Sequence, residues 1–173
     1  MATRSQVPPK LPFSAPRDRD TYRAAQKAVR QHVAAADRLA RFHVLRTGRA
    51  VQSDFAEWIV SKLLHVKLAP NTVQRSYDAT DRTGAKYQIK SRITASLERP
   101  TSFDFRAVPK GFDYLVSVFF DDQFRVLGIA RIPRSVVVRL GSLTSSRFSF
   151  RWNRRTRANR RVEWIVPRGI DAA

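Results

Sequence analysis

The sequence predicts an α/β domain, and three observations carry that expectation. Apolar residues recur at three- and four-residue steps over two N-terminal stretches, as they do in amphipathic helices. Four later runs are strand-length, rich in β-branched and aromatic residues, and separated by turn signals. A chain of 173 residues with 43% hydrophobic content is enough for one core and suits one folded unit with basic extensions.

Residues 1–16 carry Pro8, Pro9, Pro12 and Pro16 among few apolar side chains and read as a flexible arm. A helix is expected over 17–47. Tyr22, Ala25, Val29, Val33, Ala36, Ala40 and Val44 make one stripe, Arg23, Lys27, Arg30, Asp37, Arg38 and Arg41 fall largely elsewhere, and Gly48 ends the pattern. A second helix is expected from about Gln52 to Val66, with Phe55, Ile59, Leu63 and Val66 inward and Ser53 or Asp54 near its start. Pro70 breaks it. A hairpin follows, from Ser76 to Asp81, through Arg82, Thr83 and Gly84, and back along Lys86 to Ser91. Extended runs over Phe112–Phe120 and Phe124–Arg131 meet across Asp121, Asp122 and Gln123, which read as turn formers, and the four strands should make a mainly antiparallel mixed sheet. Pro133 and Arg134 open a short helix to Leu140. Over 145–173 a basic hairpin or arm is expected to pack on the core, because Phe148, Phe150 and Trp152 alternate as strand residues do.

Charge narrows the function classes. Lys and Arg number 33 against 14 Asp and Glu, a formal +19, which calls for a polyanionic partner. Nucleic acid is favoured, since each cation placed on a phosphate releases a counterion. Arg147, Arg151, Arg154, Arg155, Arg157, Arg160 and Arg161 stand with no acidic residue between Ser145 and Arg161 and are the candidate phosphate contacts. No run is long and apolar enough to span a bilayer, and the N-terminal residues lack a myristoylation pattern and a signal-peptide core, so no membrane partner is expected. With no cysteine and only three scattered histidines, thiolate and histidine metal clusters are excluded, a cytoplasmic setting is compatible, and any metal should be a hard cation held by oxygen.

The hairpin carries the chemistry. A symmetric turn near Thr83 places Asp78 opposite Gln88, with Lys90 the diagonal neighbour on the same face, while Tyr77, Ala79, Tyr87 and Ile89 take the other, buried face. Phosphodiester hydrolysis needs an oxygen ligand for Mg²⁺, a group to stabilise charge on the phosphoryl oxygens, and a positioned water. Asp78 can hold the metal, Lys90 can stabilise charge or orient the water, and the Ile89 carbonyl can add a neutral ligand. Glu57, one of three glutamates in the chain, lies off the core stripe of the preceding helix and is a candidate second metal ligand.

The helix with Glu57, the segment Ser76-Tyr77-Asp78-Ala79, the run from Gly84 to Lys90, and the later strands from Phe112 and from Val126 together resemble the PD-(D/E)xK nucleases. The resemblance covers roughly Asp54 to Leu140. It implies a restriction-endonuclease-like αβββαβ core over 48–144, Mg²⁺ as cofactor with Mn²⁺ able to substitute, and DNA as substrate. Glu57 would be the helix acid, Asp78 the central metal ligand and Lys90 the motif lysine. Gln88 stands at the second motif position in place of the usual acid, and Tyr77 stands where the motif has proline. A homodimer would be the simplest way for one compact site to cut both strands, with the N-terminal helix a candidate contact.

Plainer readings compete. Asp78 and Lys90 can be a cross-strand ion pair on a solvated face, and Glu57 a solvated helix residue. As a whole, the chain can be a DNA- or RNA-binding protein with a decayed nuclease site, or a basic component of a ribonucleoprotein.

Overall fold

The first apolar stripe forms α1 (Pro16–Arg41), on which Tyr22, Ala25, Val29 and Val33 pack against the core. The second forms α2 (Arg49–Leu64), ended by His65 in the left-handed region at φ 52, a conformation that a polar residue tolerates at a helix end. These helices belong to a computed structural model that describes residue 11 and residues 15–41, 49–69 and 77–166. Most of the expected N-terminal arm, the helix end at Gly48 and the break at Pro70 lie outside the described residues.

Two short strands, β1 (Lys67–Leu68) and β2 (Ala79–Thr80), lead into the longer β3 (Lys86–Ile93). After β4 (Thr101–Phe105) come β5 (Tyr114–Phe120) and β6 (Val126–Pro133), joined by a turn in which Asp121 accepts from the Gln123 and Arg125 amides. Pro133 caps α3 (Arg134–Leu140), and β7 (Ser142–Leu143), β8 (Phe148–Trp152), α4 (Arg154–Arg157) and β9 (Glu163–Val166) complete the described chain.

The protein is mixed α/β. Its main sheet has six strands in the order β1-β2-β3-β5-β6-β9, with β3 and β5 parallel and the other neighbours antiparallel. Four strands were expected; the added ones are short or edge strands, too brief for alternation to mark. Alternating side chains supply two cores. Val116, Val118 and Phe120 point to one face with Tyr87 and Ile89, where α1 and α2 cover them. Leu115, Phe119, Ala130 and Ile132 point to the other, where a second sheet in the order β4-β8-β7 brings Phe103, Phe148, Phe150 and Trp152. Both faces of β5 are therefore buried, which is why it reads as a continuous apolar run.

The segment 145–166 is thus part of the fold. Phe150 and Trp152 are fully buried, and β8 pairs along the whole of β4, from Thr101↔Trp152 to Phe105↔Phe148. At Gly141 the ring of Phe148 comes so close that a Cβ would lie 2.1 Å from its Cζ, so the turn between α3 and β7 admits only glycine.

Candidate functional site

The hairpin forms in the register that its turn sets. Asp81 Oδ1 accepts from the Thr83 and Ala85 amides, Gly84 takes φ 85, and Ala79 faces Tyr87 while Thr80 faces Lys86. Asp78 falls opposite Gln88, its amide donating to the Tyr87 carbonyl at 2.7 Å. There the ladder stops. The Ile89 amide, which a longer β2 would have bound through a backbone carbonyl, donates instead to Asp78 Oδ2 at 2.6 Å, and the Gln88 side-chain amide donates to the same oxygen. The Asp78 carboxylate thus sits in a fork where the chain leaves β3. The N–H and C=O of one strand residue point the same way, so the Ile89 carbonyl is directed towards this fork as well.

Three ionisable groups meet around it. Burial pushes the Asp78 carboxyl above its ordinary range, opposed by the Ile89 amide and the Lys90 ammonium. Glu57, half-buried on α2, is pushed up to about 7, first by burial, then by the Asp78 charge and that of Asp54. Burial also lowers Lys90, opposed by Asp78 and Asp104 and reinforced by Arg92. The Lys90 Nζ lies 5.3 Å from the centre of the Phe105 ring on β4, where a cation gains from the ring face. A bare solvated ion pair does not fit these surroundings, because all three groups are partly withdrawn from water.

The donors suit a hard divalent cation. They are carboxylates with a neutral carbonyl and a side-chain amide, all oxygen ligands, and the charge of Asp78 that raises Glu57 would be relieved by a cation between them. Among the described residues no group of three or more His, Asp or Glu is placed to hold a metal ion, so any ion here would rest on Asp78, Glu57 and neutral oxygens from Ile89 and Gln88.

Glu57 owes its place to the seating of α2. Gln52, buried one turn earlier, donates its Nε2 to Ser91 Oγ on β3 at 3.1 Å. On the far side Phe55 and Trp58 stack with Tyr22 of α1, and Lys62 pairs with Asp18 at 3.3 Å.

The sequence-predicted residues are only partly brought together. Glu57, Asp78, Gln88, Ile89 and Lys90 converge on one region. Tyr77 departs from expectation: it packs against the second core, with Lys86 Nζ 5.2 Å over its ring, because β2 begins only at Ala79 and strand alternation does not govern it. Of the arginines, Arg147 lies nearest the site, beside Phe148 and 3.6 Å from Asp104. Arg151, near the other end of β8, and Arg154, Arg155, Arg160 and Arg161 beyond it are exposed. Four residues of strand, about 14 Å, separate that end from Phe105. Arg157 is a correction. Its side chain is 5% exposed, donates to the Leu97 and Glu98 carbonyls at 2.9 and 3.2 Å and pairs with the Glu98 carboxylate, so it joins α4 to the β3–β4 connection and presents nothing to a phosphate.

Sequence reasoning missed Phe105 and the Gln52–Ser91 pair. The alternation Phe103, Asp104, Phe105 was a signal for the former; nothing local marks the latter, whose partners are 39 residues apart. Comparison of the chain with protein-family models and with curated protein sequences finds no match. Among the described residues no helix is long and apolar enough to cross a membrane.

Proposed function

We propose that the protein is a metal-dependent endonuclease of the PD-(D/E)xK kind that hydrolyses phosphodiester bonds in DNA. The observation that carries this reading is the fork itself. Asp78 is held by the Ile89 amide and Gln88 at the point where the strands part, with Glu57 near enough to feel its charge and Lys90 on the same strand face as Gln88.

In this reading Asp78, Glu57 and the Ile89 carbonyl hold Mg²⁺, with Mn²⁺ able to replace it, and Gln88 contributes a neutral oxygen or keeps Asp78 oriented. Bound there, the ion supplies charge neutralisation and Lewis acidity to the phosphodiester. Lys90 neutralises charge on the phosphoryl oxygens, and its partial burial strengthens that interaction relative to water. Lys90 can also orient the attacking water. The helix, hairpin and following strands occur in the order of the αβββαβ core, but strand β4 occupies the crossover between the parallel strands β3 and β5 where that core has a helix.

The test compares supercoiled plasmid, linear duplex and single-stranded DNA with Mg²⁺, with Mn²⁺ and with EDTA, for the wild type, Asp78→Asn and Lys90→Ala. Metal-dependent cutting should fall by about 10²–10³-fold in Lys90→Ala with affinity nearly unchanged. Tight binding without cutting in either metal overturns the enzyme reading and leaves the second one, a DNA- or RNA-binding protein with a decayed site. One observation favours that alternative: Gln88 stands where a third acid would be, and its amide already donates to Asp78.

A further inference from the structure

The exposed side of α1 carries a charge that the candidate site does not use. At 3.6 residues per turn, Arg19, Arg23, Lys27 and Arg30 fall within about 80° of the helix surface, and Arg38 and Arg41 continue the same stripe within about 100°. All six are exposed. The core-facing residues Tyr22, Ala25, Val29 and Val33 centre about 120° away, so the stripe is turned from the protein. Three acids lie on the helix: Asp18 is taken by Lys62, Asp20 pairs at 3.6 Å with Arg23 in a fully solvated setting, and Asp37 is exposed. Like charges at i and i+4 repel one another on a helix surface, and Arg19, Arg23 and Lys27 are spaced in that way.

We infer that this stripe is a phosphate-contacting surface for duplex nucleic acid, separate from the C-terminal arginines. The inference rests on the reading that the protein binds nucleic acid, but not on cleavage. From Arg19 to Arg41 the stripe runs about 33 Å at 1.5 Å per residue, close to the 34–36 Å of one duplex turn. A rigid helix keeps its cations in fixed register against a repeating backbone, which a loose arm does not. Arginine predominates, with its fork of donors suited to phosphate oxygens. The placement also couples binding to the site. Tyr22 of α1 stacks on Phe55 and Trp58 of α2, the helix that carries Glu57. The exposed arginines of α4 belong to the segment that builds the second sheet, on the opposite face of the main sheet, so the two basic surfaces are independent.

The test measures affinity for a 20-base-pair duplex in EDTA, where cutting cannot occur, across a series of KCl concentrations. The quadruple variant Arg19→Gln/Arg23→Gln/Lys27→Gln/Arg30→Gln should lower the slope of log affinity against log salt by about 3.6, from four lost phosphate contacts, and weaken binding at 0.1 M salt by roughly tenfold or more. A companion Arg19→Lys/Arg23→Lys/Arg30→Lys variant should keep the wild-type slope. Thermal unfolding of each variant verifies that α1 remains docked. An unchanged slope in a folded quadruple variant overturns the proposal, as does a variant that loses affinity for anionic vesicles or an acidic protein while binding duplex normally. The expected loss of slope in the quadruple variant, with no cutting by wild type in Mg²⁺ or Mn²⁺, upholds this surface and removes the nuclease reading; wild type that binds no duplex removes both.

Discussion

Replacing Glu57 by glutamine should stabilise the metal-free protein above neutral pH while destroying its response to metal. Glu57 titrates near 4.5 when exposed and is pushed up to about 7 in the fold, so the folded state favours its protonated form. The contribution of that preference is complete below about pH 4.5 and is lost as pH rises through about 7, leaving a half-buried carboxylate beside Asp78. At 1.36 kcal/mol per pH unit the full difference is about 3 kcal/mol; solvent screening of a half-exposed group reduces it to about 1–2 kcal/mol. Glutamine keeps the shape and the helix propensity without the charge. In EDTA at pH 8.5, Glu57→Gln should therefore melt about 2–8 °C above wild type, and at pH 5 the two should nearly coincide. Addition of Mg²⁺ at ten times its dissociation constant should raise wild-type stability by about 1.4 kcal/mol and leave the variant nearly unmoved. Thermal unfolding at the two pH values, with EDTA and with Mg²⁺, reads all of this. A variant equal to or less stable than wild type at pH 8.5 in EDTA would refute the electrostatic account of the site, and an equal Mg²⁺ response in both proteins would remove Glu57 from the metal ligands.

Three further substitutions test the frame around it. Arg157→Ala should cost about 1–3 kcal/mol in denaturant unfolding by stripping donors from the Leu97 and Glu98 carbonyls, whereas Arg154→Ala should stay within about 0.5 kcal/mol; equal effects would mean that Arg157 is not structural. Gly141→Ala should cost about 1–3 kcal/mol by driving a methyl group into the Phe148 ring, and a neutral result would show that the turn between α3 and β7 can open. Gln52→Ala should cost about 1–3 kcal/mol by leaving Ser91 Oγ buried without this donor, and should lower any cutting rate by displacing α2 and its Glu57; a loss of stability with an unaltered rate would separate the pin from the site.

What the sequence revealed was local. The hairpin register follows from Asp81, Thr83 and Gly84, so the facing of Asp78 and Gln88 could be derived within a dozen residues. Helix faces were readable for the same reason, Tyr22 to Val33 and Phe55 to Ile59 lying on their expected sides. The second sheet was not legible, because β4 and β8 pair across more than forty residues and neither strand has a hairpin turn to announce the other. The exclusion of Arg157 from the basic surface had the same origin: its role depends on Glu98, 59 residues earlier, and composition alone made it look like its neighbours.

The pairing of β4 with β8 bears on how the protein is made. Among the described residues strand β4 pairs in its sheet with β8 alone, and it carries Phe105 over Lys90. A nascent chain that has emerged only as far as Leu140 already contains Glu57, Asp78, Gln88 and Lys90, yet lacks the strand that fixes Phe105 in place. So distant a pairing costs more chain entropy to close than the local hairpin and helices do. The surroundings of Lys90 are therefore completed only once β8, ending at Trp152, has been synthesised, and a polypeptide still short of it, beside messenger and ribosomal RNA, carries the lysine without its finished setting.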